Sequence, residues 1–446
     1  MVKPGTISEI RFGYGFAPWQ PDRKSGDDLL AEVGRVDSAE KRRSLLRTSE
    51  RLAILSERRE ARNGSQEDKD RANRNLRSKA ADDFQSILLR MVESKAGFRE
   101  RLVAFWTDHF TVAVNAPVLS LLIPDFIENA VRPHVGGNFK DMLQATSLHP
   151  AMVIYLNQVQ SAGPNSVAGQ RRDRGLNENL AREILELHSL GVGGAYSQTD
   201  VRELAELLTG VSVDKSGFKF RANMAEPGPE TILGKTYGGG SRASLDDVKG
   251  ALADIAVHPD TARHLSTKLL VHFIGGTPPE DLVERMANGF LAADGDLMAL
   301  YEVMLADPRS WEPPFRKVKP PMDFIVSALR AGAPEPEKLA QLDQRQVRRA
   351  LSDALTSMGQ PIFRPAGPDG WPEDPSAWIT PAGLAARLRW VQGFVDALLD
   401  EKDPRKFLQT TLDDAASDLL RRAVGGAESR KEGVALVLAS PDFNRR

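Results

Sequence analysis

The sequence predicts an all-α fold: a large multi-helix globular domain with short helix–helix links, a protruding charged helical hairpin, and one small β-hairpin or extended loop near 211–240. Three observations carry this. Apolar residues recur at three- and four-residue steps, as in Leu76, Ala80, Phe84, Ile87, Leu88 and Met91, which is the period of a helix burying one face. A polar residue followed by proline recurs at His149-Pro150, His258-Pro259, Asp307-Pro308, Asp403-Pro404 and Ser440-Pro441. Each pair reads as a helix start, a side-chain cap followed by a proline whose missing N–H is not needed in the first turn. Finally, 41% hydrophobic and 27% charged residues over 446 positions is globular composition, enough for a sizeable core.

Taken in order, residues 1–36 are rich in glycine, proline and aromatics and read as a loop clasp pinned by Arg11, Phe12 and Tyr14. Residues 37–96 read as the charged hairpin, with Leu45, Leu52 and Leu55 on one arm, a turn at Asn63-Gly64-Ser65, and a base that rejoins the core. Its charges mix both signs, the pattern of a solvated face. Residues 97–446 form the main helical body. A helix from Phe98 to about Val112 puts Leu102, Phe105, Trp106, His109 and Phe110 on one stripe, and helices follow at Pro124 to Val131 and Phe139 to Ser147. The central helix spans 176–190 and ends at Gly191, Gly193 and Gly194; Asp200 and Glu203 have capping-box spacing in the helix after it.

VSV and FKF around DKSG, Val211 to Phe220, read as a β-hairpin. GPETILGKT, Gly228 to Thr236, resembles a phosphate-binding loop but has five residues between its glycines and no helix start after it, so it reads as a turn-rich loop. Helices are then expected at Leu245 to Ile255, Thr261 to Phe273, Pro279 to Phe290, Asp296 to Ala306, Pro321 to Leu329, the 340s and 350s, Gly383 to Leu399 and Phe407 to Val424. The loop from Gly359 to Pro381 carries Trp371 and Trp378, too aromatic for a free linker, and is expected to pack on the helices.

Composition excludes several functions. With 59 Lys and Arg against 61 Asp and Glu there is no global field to gather nucleic acid. The absence of cysteine removes disulfides, iron–sulfur clusters and a thiol nucleophile. There is no nucleotide, flavin or haem signature, and no run reaches the length of a membrane helix. The start lacks the apolar core of a signal peptide, so the expected location is cytoplasmic, or periplasmic if the native precursor differs.

The candidate chemistry centres on GLNENLAREILELHSLGVGG, Gly175 to Gly194. At 100° per residue, Asn179, Arg182, Glu183 and Glu186 share one polar face, while Glu178 and Asn177 occupy the first turn. Such a face is either an exposed salt-bridged surface or a network aimed into a pocket. His188 lies opposite it, and His109 sits on the aromatic stripe, where a buried ring must find a partner. Asp108 points about 100° away from His109. His264, Lys268 and His272 follow at four-residue steps, and a lysine between two histidines argues against a metal there.

FWTDHF at Phe105, HPAMVIYLN at His149, the central block to Val201, LTG at Leu208, EPGPETILGKTY, KVKPPMDFIVSALRA, MGQPIFRPAGPDGWPED and LASPDF together resemble the bacterial family called domain of unknown function 1800, over nearly the whole chain. Asp108 stands where that family usually has asparagine, Leu180 where tyrosine is common and Val211 where tryptophan is frequent. The resemblance implies a helical protein and, from genomic neighbourhood, a sulfatase-like partner of the domain of unknown function 1501 family. Two functions are therefore expected. One is a hydrolase-like or metal-assisted enzyme on a polar substrate, with Glu178, Glu183, Glu186, His188 and His109 as catalytic groups, Asn177, Asn179, Arg182, Trp106 and Asn157 as substrate-binding groups, and a divalent metal as its candidate cofactor. The other is a non-catalytic binding or assembly partner whose polar network is structural.

Overall fold

All five polar–proline pairs open helical segments. The side chains of His149, His258, Asp307, Asp403 and Ser440 accept backbone N–H groups of the turns they precede, so local capping chemistry sets where much of the chain turns. The computed structural model describes residues 2–20, 24–172, 175–240, 243–333, 348–399 and 401–446. Within them the fold is mostly α-helical, with two two-stranded antiparallel sheets. No described helix is long and apolar enough to cross a membrane.

Two apolar cores organise the body. One gathers the helices Gly97–His109, Pro117–Phe126, Phe139–Ser147, Pro259–Phe273, Glu280–Ala292 and Leu297–Ala306 around Phe98, Trp106, Phe139 and Tyr301. The other joins the end of the Gln66–Glu93 helix to Pro321–Gly332, Pro381–Leu398, Pro404–Leu412 and Arg430–Ala439 around Phe84, Phe324 and Leu355. The cores meet along the 97–109 helix, which with the segment just after it gives Val103 and Val112 to a cleft whose other wall carries Phe84 and Met91.

Several elements depart from the sequence reading. The opening segment is helical, Pro4–Ile7 continuing as a π-helix over Ser8–Phe12, because Ile7, Ile10 and Phe12 are buried along it; Arg11, Phe12 and Tyr14 do pin it. The helix expected from Pro124 begins at Pro117, and Pro124 lies inside it, followed by π-helical hydrogen bonding over Ile127–Val131. The expected 407–424 helix breaks into Pro404–Leu412 and Asp418–Gly425. The β-hairpin at 211–220 forms with Val211 opposite Phe220. A second hairpin, Pro229–Ile232 with Lys235–Gly238, replaces the expected loop and turns on Leu233 and Gly234, both at positive φ. Part of the helix expected in the 340s lies outside the described residues; Arg348–Ser352 and Asp353–Ser357 are helical.

The charged hairpin consists of Thr48–Glu60 and Gln66–Glu93 joined by a turn capped at Ser65. Its outer arm is fastened to the body by Arg51, fully buried, which contacts Asp83 at 2.5 Å and Asp125 at 3.4 Å. The central helix is short, Asn179–Glu183, and widens to a π-helix over Ile184–His188. The next helix is capped by Ser197, whose box partner is Asp200; Glu203 instead accepts the Thr231 N–H at 2.9 Å.

Candidate functional site

Helices 97–109 and 259–273 run side by side in opposite directions, and their facing positions carry the chemistry. Arg101 Nη2 lies 3.3 Å from His272 Nε2, the Phe105 ring is 5.1 Å from the His272 ring, and the His109 ring is 6.2 Å from that of His264. Lys268, one turn before His272, acts electrostatically on Asp108. Seven residues separate Arg101 from Asp108, so they share a face about 10 Å apart.

The 359–381 loop roofs this seam. The Trp371 N–H donates to both Asp108 carboxylate oxygens, at 3.0 and 3.2 Å. A Cβ on Gly370 would lie 2.8 Å from that carboxylate, and its φ is +85°, so this close approach requires glycine. Glu373 accepts from His272 Nδ1 at 2.6 Å and from Lys317, whose Nζ also donates to the Glu373 carbonyl at 2.7 Å. At the inner end Arg101 Nη1 donates to Asp323 at 3.0 Å, and Arg446 Nε lies 3.2 Å from the same oxygen. Between seam and roof is a cavity of about 180 Å³ walled mainly by apolar side chains.

Burial sets the proton affinities here. It pushes the Asp108 carboxyl up to about 7, beyond what the Trp371 N–H and the Lys268 charge offset. It lowers the Lys268 ammonium, which makes no hydrogen bond or ion pair among the described residues. Burial also takes His272 down to about 4, so the ring is neutral: it donates from Nδ1 to an ionised Glu373 and offers the Nε2 lone pair to Arg101. Glu373, although buried, is held well below the carboxylate range by His272 and Lys317. His188 falls to about 3 and His264 to about 4, both through burial and then Lys268, and His109 falls well below the imidazole range for the same reasons. His109 Nε2 donates to the His188 carbonyl at 3.1 Å and His264 Nε2 to the Leu187 carbonyl at 3.2 Å, both exposed by the π-helical turn.

The residues singled out in the sequence divide into four groups. Arg182 lies between Glu178, at 3.1 Å, and Glu186, at 3.3 Å, and contacts Gln198, which makes an outer ladder; its side chain is 37% exposed. Glu183 is not part of that ladder. It is half-buried, and burial, then Glu186 and Asp369, raise its carboxyl to about 7. Tyr155 and the roof residue Asp369 are its electrostatic neighbours, and Asp369 acts on Asp108 and Lys268 as well. His109 and His188 are fully enclosed in the aromatic core, each with an unpartnered Nδ1.

The remaining residues make contacts within the fold or face solvent. Trp106 donates its indole N–H to Tyr301 at 2.8 Å in the core, Asn177 caps Asn179 and donates to the Leu156 carbonyl, Asn157 occupies a left-handed turn at φ 57°, and Asn179 is exposed. Sequence reasoning missed Asp323, Glu373, Lys317 and Arg446, which reach the seam from distant parts of the chain. It also missed three carboxylates, Glu203, Glu206 and Glu230, with oxygens within 4.8 Å of one another, a set able to hold a hard divalent cation. The three-residue step from Glu203 to Glu206 was visible; the inward register of Glu230 in the second hairpin was not.

A family model described as "Protein of unknown function (DUF1800)" matches residues 10–445. The chain belongs to this family. No curated protein and no solved structure matches it. The DUF1800 match spans both walls of the cleft, its roof and the central helix.

Proposed function

We propose that this DUF1800 protein is a hydrolase-like enzyme working by general acid–base catalysis, with Glu183 and Asp108 sharing the proton transfers. The observation that supports it is a pair of carboxyl groups on different helices, both brought to about 7 and both under the influence of Asp369. A group that titrates near neutrality can give and take a proton at working pH, and paired carboxyls of this kind are the usual acid–base arrangement of hydrolysis. Lys268 supplies a positive charge that acts on Asp108. The apolar walls near Asp108 suit a substrate with an apolar body carrying one polar, hydrolysable group better than a saccharide.

The test is a panel of chromogenic esters, amides and phosphoesters assayed with the wild type, Glu183→Gln and Asp108→Asn. Glu183→Gln should lower kcat/KM by a factor on the order of 100 or more without lowering Tm, since Arg182 pairs with other residues. Asp108→Asn, which restores the residue usual in the family, should cost less. Full activity in Glu183→Gln, or none in the wild type across the panel, would sink this reading.

A second reading is docking to a sulfatase-like partner. It is supported by Leu384 and Leu388, one turn apart on the 381–398 helix and 39% and 49% exposed. Co-purification with such a partner, lost in Leu388→Glu, would favour it.

A further inference from the structure

The inner end of the cleft has more hydrogen-bond donors than acceptors to receive them. Two buried donors on its lining, Tyr14 Oη and Arg101 Nε, have no hydrogen-bond partner, and Thr107 Oγ1, farther along the same wall, has none either. Every one carries a hydrogen to donate. The carboxylates beside them are already engaged. Asp323 faces both Arg101 and Arg446, Glu373 takes His272 and Lys317, and Glu100 holds Arg132 through two bonds at 2.6 and 2.9 Å. A buried donor without an acceptor costs about 1–3 kcal/mol, and native interiors leave few of them. Several of one sign lining one cavity describe the complement of an acceptor-rich group. The rest of the lining, including Phe84, Met91, Val103, Met322, Ile362 and Phe363, is apolar.

We propose that this end of the cleft anchors the anionic group of an amphipathic ligand, a carboxylate or phosphate on an apolar body, with Arg101 and Tyr14 as the anchoring donors. Guanidinium groups suit such oxygens because they present several N–H bonds in one plane. The anchor lies two helical turns from Asp108, so the bound molecule places its charged end about 10 Å from that carboxyl. The proposal rests on this cleft being the substrate's place, but not on Glu183 being catalytic.

The test uses the whole protein and calorimetric titration with octanoate, octyl phosphate, octanol and inorganic phosphate. Octanoate or octyl phosphate should bind at least 10-fold more tightly than octanol and than inorganic phosphate, and the preferred acid identifies the headgroup. Tyr14→Phe removes only a hydroxyl that has no partner, so the free protein should keep its Tm while affinity for the preferred acid falls about 10-fold and that for octanol does not. Equal binding of octanol and the acids, equal binding of inorganic phosphate and octyl phosphate, no binding of either acid, or an unaltered acid affinity in Tyr14→Phe would each overturn the anchor. Glu183→Gln turnover decides the catalytic reading separately: an acid preference with unaffected turnover keeps the anchor and removes the catalysis.

Discussion

The molecule contains two networks of arginine and carboxylate, and they behave oppositely. On the outer face of the central helix, Arg182 bridges Glu178 and Glu186 at four-residue steps, with all three side chains in contact with water. In the seam, Arg101 and Arg446 converge on Asp323 with side chains 2%, 1% and 13% exposed. The outer ladder needs no ligand, because water completes whatever the pairs leave unsatisfied. The inner network cannot draw on solvent in that way, so its spare donors and shifted carboxyls carry information about what enters the cleft. A motif of alternating charge thus acquires meaning only once its burial is known.

Removing Asp323 should separate the two networks most sharply. Asp323→Ala leaves two buried guanidinium groups uncompensated and should cost about 3–5 kcal/mol, read as a loss in urea midpoint; a change below 1 kcal/mol would mean that the seam is wet and no different from the ladder. The next effect is in pH. Asp108 and Glu183 are held near 7, above their unfolded values, so the fold favours their protonated forms. Their contribution to stability is complete below about pH 4 and is lost as pH rises to about 7. Asp108→Asn and Glu183→Gln should therefore gain Tm relative to the wild type at pH 8, with the gain shrinking by pH 4; a constant offset across that range would show that these carboxyls do not titrate in the window. The smallest effect belongs to the ladder. Arg182→Met should cost about 0.3–1 kcal/mol, and a loss of several kcal/mol would place it with the buried network instead.

What could be read in the sequence was mostly what is local. The five cap–proline pairs announced their helices because the interaction spans three residues, and the first hairpin was visible in the alternation of VSV and FKF. The second hairpin was hidden by glycine and proline on both sides and by its turn, which puts Leu233 at positive φ before Gly234 where asparagine, aspartate or glycine is the usual signal. The opening segment looked like loop by composition, and only the burial of Ile7 and Ile10 makes it helix. At the candidate site, the polar face of 178–186 was legible, but its division into an outer ladder and an inward Glu183 depends on what packs against each residue. The seam was not legible at all: Arg101, His272, Asp323, Glu373 and Arg446 meet only through tertiary contacts, and no periodicity joins them.

The π-helical turn at Ile184–His188 has a practical consequence. A carbonyl can only accept, so the contacts of His109 and His264 with the carbonyls of His188 and Leu187 fix a proton on Nε2 of each ring. Such imidazole protons exchange slowly with water and resonate far downfield of the amide envelope. With seven histidines in the chain, a one-dimensional proton spectrum would carry lines from these two rings and from the His272 Nδ1 proton held by Glu373, a built-in gauge of whether a molecule has entered the cleft that requires neither label nor assay.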